Sequence, residues 1–324
     1  MTVRPDFDTP YPLETKRIWV AGHKGLVGSA VLRRLACEEI DCITVDRGAL
    51  DLTRQRDVER WMERNRPDVV VVAAARVGGI IANASRPAEF LRDNLAIALN
   101  VIEAARAYDV EKLLFLGSSC IYPKLAPQPI REEYLLTGAL EPTNEAYAIA
   151  KIAGLKLAEY YNRSLGRAFI TAMPTSIYGP NDNFDPVTSH VLPAMIRKMH
   201  EAKVAHRPFV ELFGSGNPCR EFLHVDDLAD ALVFLLRHYA SPETINVGWG
   251  EDLTIRELAE TVARAVDYRG EIRFDPSKPD GTPRKLLDTG RMTALGWRPK
   301  IRLETGIAST YRHWLERTER LPAA

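Results

Sequence analysis

A chain of 324 residues, 46% hydrophobic and 27% charged, has room for one large or two modest domains and reads as soluble and globular. Its 43 Lys and Arg offset 43 Asp and Glu, so the net charge is zero, without the basic excess that general nucleic-acid binding needs. The four cysteines, Cys37, Cys42, Cys120 and Cys219, contain no CxxC pair and are too sparse for a disulfide scaffold, which points to reduced thiols in a cytoplasmic protein.

Residues 1–16 carry charged side chains and no apolar run. They read as a flexible leader, neither signal peptide nor membrane span. From residue 17 strand and helix patterns alternate. A short apolar strand over 17–21 runs into Gly22-His23-Lys24-Gly25-Leu26-Val27-Gly28, and helical periodicity continues through Val31, Leu32 and Leu35. A second strand is expected over 42–46 and a helix over 54–65, stopped by Pro67. Residues 68–75 form the nearly unbroken apolar run of a strand buried on both faces of a parallel sheet. A long helix over 88–108, a strand over 112–116, a helix over 146–165 and a strand over 168–173 complete the series. Such alternation predicts an α/β protein with a doubly wound parallel Rossmann sheet occupying residues 17–175.

Beyond Pro174 the chain is rich in Pro, Asn, Asp, Gly and Ser up to Pro193, the chemistry of long functional loops. Later helices fit 190–202, 226–238, 255–268 and 303–316, with short strands near 210–213, 244–247 and 272–274. Residues 176–324 are therefore expected to form mainly a smaller α/β substrate-capping domain, with some segments returning to the main sheet.

Three features carry chemistry. Glycines between a strand and a helix let the backbone approach a pyrophosphate, and the helix N-terminus favours the anion. Asp46 at the end of the second strand would suit the ribose of NAD, whereas Lys24 and Arg47 would pair with the 2′-phosphate of NADP. Two cations favour NADP(H). Tyr147 and Lys151 share one helical face, and Lys151 can bring the phenol toward the working range while holding the nicotinamide ribose. Ser118, just past a buried strand, can donate to a carbonyl oxygen as negative charge develops on it. Cys120 lies two residues further on; in an extended segment it would point the same way as Ser118. A thiol is not needed for hydride transfer. Beside a ketone it can serve as an acid or a base at the neighbouring carbons, where the C–H bonds are acidified.

The strand-end serine and YxxxK resemble the extended short-chain dehydrogenase/reductase superfamily. Within it, Gly22–Ser29, Ala73–Ile80, Leu116-Gly-Ser-Ser-Cys-Ile-Tyr-Pro-Lys124, Glu141–Lys151, Arg220–Asp227 and Lys278–Lys285 resemble the GDP-L-fucose synthase family in one collinear match. The resemblance implies a dimeric, NADPH-dependent enzyme that epimerises C3 and C5 of GDP-4-keto-6-deoxy-mannose and reduces C4. It implies Ser118, Tyr147 and Lys151 as the reductase set, Cys120 as base and His190 as acid. Cofactor contacts would come from Gly22, Lys24, Gly25, Leu26, Val27, Gly28 and Arg47. Others would come from Leu116, Gly117, Ser118, Ser119, Tyr147, Lys151, Pro174, Thr175, Ser176, Ile177 and His190. Lys198, Phe213, Arg220 and Asp280 would hold the GDP-sugar, Arg220 by a bidentate diphosphate contact unless it pairs with Asp226 or Asp227. The chain departs from the family in having Lys198 for Arg, Phe213 for a Trp common in bacterial members, and Ser176 for Asn. No metal, nucleic acid or membrane partner is expected. The alternatives are an epimerase or reductase for a related GDP-4-keto sugar, and a regulatory protein that binds NADP without catalysis.

Overall fold

The computed structural model describes residues 10–186, 188–278 and 280–319. Strand β1 (Ile18–Ala21) leads into α1 (Leu26–Ala36), β2 (Cys42–Ile43), α2 (Gln55–Asn65), β3 (Val69–Val72), α3 (Ile80–Ser85), α4 (Pro87–Ala107), β4 (Lys112–Leu116), α5 (Glu145–Leu165) and β5 (Ala168–Pro174). Then come β6 (Ser176–Tyr178), α6 (Val191–Val204), β7 (Phe209–Phe213), β8 (Cys219–Arg220), β9 (Phe222–His224), α7 (Val225–His238) and β10 (Ile245–Val247). The last elements are β11 (Leu253–Thr254), α8 (Ile255–Val266), β12 (Glu271–Asp275), β13 (Arg284–Lys285), α9 (Gly290–Ala294) and α10 (Leu303–Glu319).

Six strands form one parallel sheet in the order β10-β5-β4-β3-β1-β2. Successive side chains of a strand face opposite ways, and the sequence fills both faces with hydrocarbon. Ile18, Val20, Val69, Val71, Leu114 and Ile170 pack with Val31 and Leu35 of α1 and Leu228 to Leu236 of α7. Trp19, Val70, Val72, Phe115 and Phe169 pack with Met62 of α2, Val101 of α4 and Leu155 of α5. Burying each such side chain contributes roughly 1.5–3 kcal/mol, which explains why Val69–Val72 needs no polar alternation. This is the doubly wound Rossmann architecture expected. The strand order reverses between β1 and β3, and ligands of such sheets bind at that crevice.

After β5 the chain leaves the sheet. β6 pairs in parallel with β9 and β7 with β12, while β8 pairs antiparallel with β11 and parallel with β13. A third core of Leu192, Met195, Ile196, Val210, Leu258, Val262 and Ile307 holds α6, β7, α8 and α10 together over the strand ends. Between these pieces α7 covers one face of the main sheet and β10 extends its edge beside β5.

Three local expectations differ from the structure. Residues 1–9 of the expected flexible leader lie outside the described residues, but the rest is packed down. Leu13 is fully buried, Tyr11 N donates to Arg237 O at 2.8 Å, and Lys16 pairs with Glu111 at 2.6 Å. The second strand stops at Ile43 because the chain turns at Asp46, whose carbonyl accepts from Ala49 and Leu50 at 2.9 and 3.0 Å. The segment carrying Cys120 is not extended: Ser119–Ile121 is a 3-10 turn.

Candidate active site

The glycine turn is built for close approach of a ligand's phosphates. Gly22 has φ +88°, and a Cβ there would lie 2.7 Å from the Ala74 backbone; one on Gly28 would lie 2.2 Å from Gly22 O. Gly25 N donates to Gly22 O at 3.0 Å, which folds the turn onto the start of α1. No side chain caps that helix, so its first N–H groups remain available to an anion. Lys24 and His23 both pair with Asp46, at 2.7 and 3.2 Å, and hold its carboxyl below the usual range. The acidic group that would favour an unphosphorylated ribose is thus already engaged by cations, and Arg47 lies beside it in the chain. A nicotinamide dinucleotide fits this cradle.

Ser118 follows β4 and caps the 3-10 turn, its hydroxyl accepting from Cys120 N at 3.3 Å. The turn, not a two-residue strand repeat, is what carries Cys120 into the site. Tyr147, on the first turn of α5, lies close enough to the Ser118 hydroxyl to feel it. Burial raises the phenol pKa, charge on Cys120 raises it further, and the Ser118 contact opposes them. Lys151, one turn along α5, donates to Leu116 O at 2.8 Å, with its ammonium 5.8 Å from the centre of the Tyr147 ring. Burial lowers Lys151 to about 8. The expectation that Lys151 brings the phenol down is therefore not met by the protein's own groups, and Tyr147 stays firmly protonated, the form that gives a proton to a developing alkoxide.

The Cys120 sulfur accepts from Asn144 Nδ2 at 3.3 Å and from Lys285 Nζ at 3.7 Å. His190 is the residue preceding α6, and its side chain makes no capping bond. Although the residue is exposed, the protein crowding its ring lowers its pKa, and the Lys285 charge lowers it further. The Lys285 ammonium thus touches the thiol and is close enough for its charge to act on the imidazole.

From this centre a line of contacts runs outward. Arg220 is close enough for charge on Cys120 to affect its ionisation, and it donates to Asp280 O at 3.4 Å. It does not pair with the acids after it: Asp226 binds Arg33, and Asp227 accepts from the backbone of Lys300 and Ile301. The Asp280 carboxylate holds Ser215 N and Oγ at 2.7 and 2.8 Å, fixing the loop after β7. Phe213, 57% exposed, ends that strand between Lys198 and Lys278, at 5.5 and 5.9 Å from its ring. Pro174 and Thr175 lie where β5 hands over to β6, with Thr175 N bonded to Val247 O at 3.1 Å; Ser176 and Ile177 begin the pairing with β9.

Sequence reasoning missed three polar groups. Asn144 and Lys285 fall inside quoted motifs, but nothing in their spacing shows that both touch Cys120. Glu221, fully buried, accepts from Gly250 N at 2.7 Å and Leu287 N at 3.1 Å and clamps β13 beside Arg220. A lone acidic residue in a segment where no strand is expected gives no sign of this.

Residues 18–248 match the NAD dependent epimerase/dehydratase family. Fold and site together define a nicotinamide-dependent enzyme of that class. The chain is 58% identical over 301 residues to a GDP-L-fucose synthase of Sinorhizobium fredii, covering 93% of this chain and 96% of that one. It is 52% identical over 318 residues to the Escherichia coli GDP-L-fucose synthase, covering 95% and 99%. The structure of a GDP-L-fucose synthetase from Naegleria fowleri bound to NADP superimposes with a TM-score of 0.89 at 30% identity, covering 98% of this chain and 99% of that one. The chain belongs to the GDP-L-fucose synthase family.

Proposed function

We propose that the protein converts GDP-4-keto-6-deoxy-D-mannose to GDP-L-fucose, inverting C3 and C5 and then reducing C4 with NADPH. The observation that carries this reading is a thiol held by two donors on the 3-10 turn that Ser118 caps, next to the start of the helix bearing Tyr147 and Lys151. A reductase alone has no use for the thiol.

Ser118 and Tyr147 donate to the C4 carbonyl oxygen, which acidifies C3–H and C5–H. Cys120 as thiolate removes a proton, and the electron pair moves onto the oxygen as an enolate. His190 as imidazolium returns a proton to the opposite face. Its lowered pKa makes the imidazolium the minor form near neutrality, and a stronger acid once formed. NADPH supplies the hydride to C4, and Tyr147 protonates the resulting alkoxide. The glycine loop, Lys24 and Arg47 would hold the cofactor, with Lys151 on its ribose. Arg220 suits the diphosphate, with Lys198, Phe213 and Asp280 on the nucleotide side. A cytoplasmic homodimer completes the reading. Exposed Leu99, Ile149 and Tyr160 on α4 and α5 offer apolar surface for a second copy, and no described helix is long and apolar enough to cross a membrane.

The test is incubation with this GDP-sugar and NADPH in heavy water. Deuterium at both C3 and C5 with one NADPH oxidised per product is expected; unlabelled carbons would remove the epimerase half.

A further inference from the structure

Lys285 comes from β13, far along the chain from the 3-10 turn, and its ammonium lies 3.7 Å from the Cys120 sulfur. Asn144, immediately before α5, donates to the same sulfur at 3.3 Å. Both groups only donate, so both favour the thiolate over the thiol. Among the described residues, Tyr147 on α5 and Arg220 on β8 also feel charge on the thiol, and His190, just before α6, feels that of Lys285. Tyr147 is held protonated and carries no charge to compete. Lys285 also has a second electrostatic partner of opposite response: its charge disfavours the imidazolium of His190.

We propose that Lys285, assisted by Asn144, is the positioning residue that orients the Cys120 sulfur toward the sugar carbons and offsets negative charge developing on it. This rests on Cys120 being the base in the proposed function. The geometry makes a two-sided demand of one ammonium. Removing it takes a cation away from a thiolate and relieves an imidazolium of a repelling neighbour. The two titrations therefore both move to higher pH, a signature that loss of packing or of a phosphate contact does not produce.

The experiment uses the full chain without substrate. Alkylation of Cys120 by iodoacetamide, in which the thiolate displaces iodide, is followed against pH by peptide-resolved mass spectrometry. His190 is followed by the NMR shifts of its ring. Lys285→Gln is expected to raise both midpoints by about one pH unit, whereas Lys285→Arg holds them near wild type. With substrate, the pH profile of deuterium exchange by Lys285→Gln should move up by about one unit, whereas that of Lys285→Arg should stay near wild type. An unchanged thiol midpoint with a higher KM for the GDP-sugar would overturn the proposal and leave Lys285 as a substrate contact. If the Gln variant does not fold, Asn144→Ala carries the test: a raised thiol midpoint supports the cradle and an unchanged one overturns it. Failure here stays distinct from failure of the base assignment, which is read separately by whether Cys120→Ala still exchanges deuterium.

Discussion

At the scale of single residues, the site keeps its proton donor loaded by burying it. Tyr147 is held protonated by desolvation and by its thiol neighbour, so the phenol is a donor waiting for an alkoxide. Tyr147→Phe should cut C4 reduction by about 10²–10⁴-fold in single-turnover NADPH oxidation while deuterium exchange survives better. Cys120→Ala should reverse that pattern, losing exchange with cofactor affinity near normal by fluorescence titration. Lys151 and Asp182 are among the buried ionisable groups that set stability against pH. Lys151, at about 8, has its charged form penalised by folding, so stability rises as pH climbs from 8 toward the ordinary lysine range. Asp182, pushed up to about 7 by burial, binds its proton more tightly folded than unfolded, so stability falls as pH rises from about 4 through 7. Each contributes on the order of 3 kcal/mol. The melting temperature should therefore dip between about pH 7 and 8, and Asp182→Asn should flatten the acid side of that dip. Lys151→Met should raise Tm at pH 7 by about 2–4 °C and still lose reduction, the cost of a buried charge kept for function.

At the scale of elements, the regular pieces were legible and the irregular ones were not. Hydrophobic period alone located β4 to the residue, because Lys112–Leu116 lies between two buried strands and its length is set by pairing on both sides. β2 was over-read since an edge strand has one partner, and the turn at Asp46 ends it. The 3-10 turn at Cys120 escaped because a three-residue element leaves no period to detect. Spacing and resemblance nominate the candidate set, whereas Lys285, Asn144 and Glu221 make contacts between segments 24 to 165 residues apart that leave no mark on spacing. The glycine turn is the element most open to a direct test. Gly28→Ala places a methyl 2.2 Å from Gly22 O, where only backbone can yield. Nicotinamide-cofactor binding should weaken by at least tenfold in calorimetry, while far-UV circular dichroism stays near wild type.

At the scale of the whole molecule, the cap and the sheet share one chain that crosses between them more than once. β10 and α7 belong to the sheet by packing, although α6, β7, β8 and β9 precede them in sequence. A fragment of residues 17–175 would leave the outer edge of β5 unpaired and strip α7 from one face. It should be recovered insoluble, in contrast to the full chain, and a soluble, cooperatively melting fragment would contradict this. The same crossing has a consequence for synthesis. A ribosome delivers β5 about 70 residues before its partner β10, several seconds at ordinary elongation rates. During that interval an apolar strand edge and half a core wait in the open. The nascent chain is most vulnerable to aggregation, and most dependent on holding chaperones, in the window after β5 emerges and before residue 247 does.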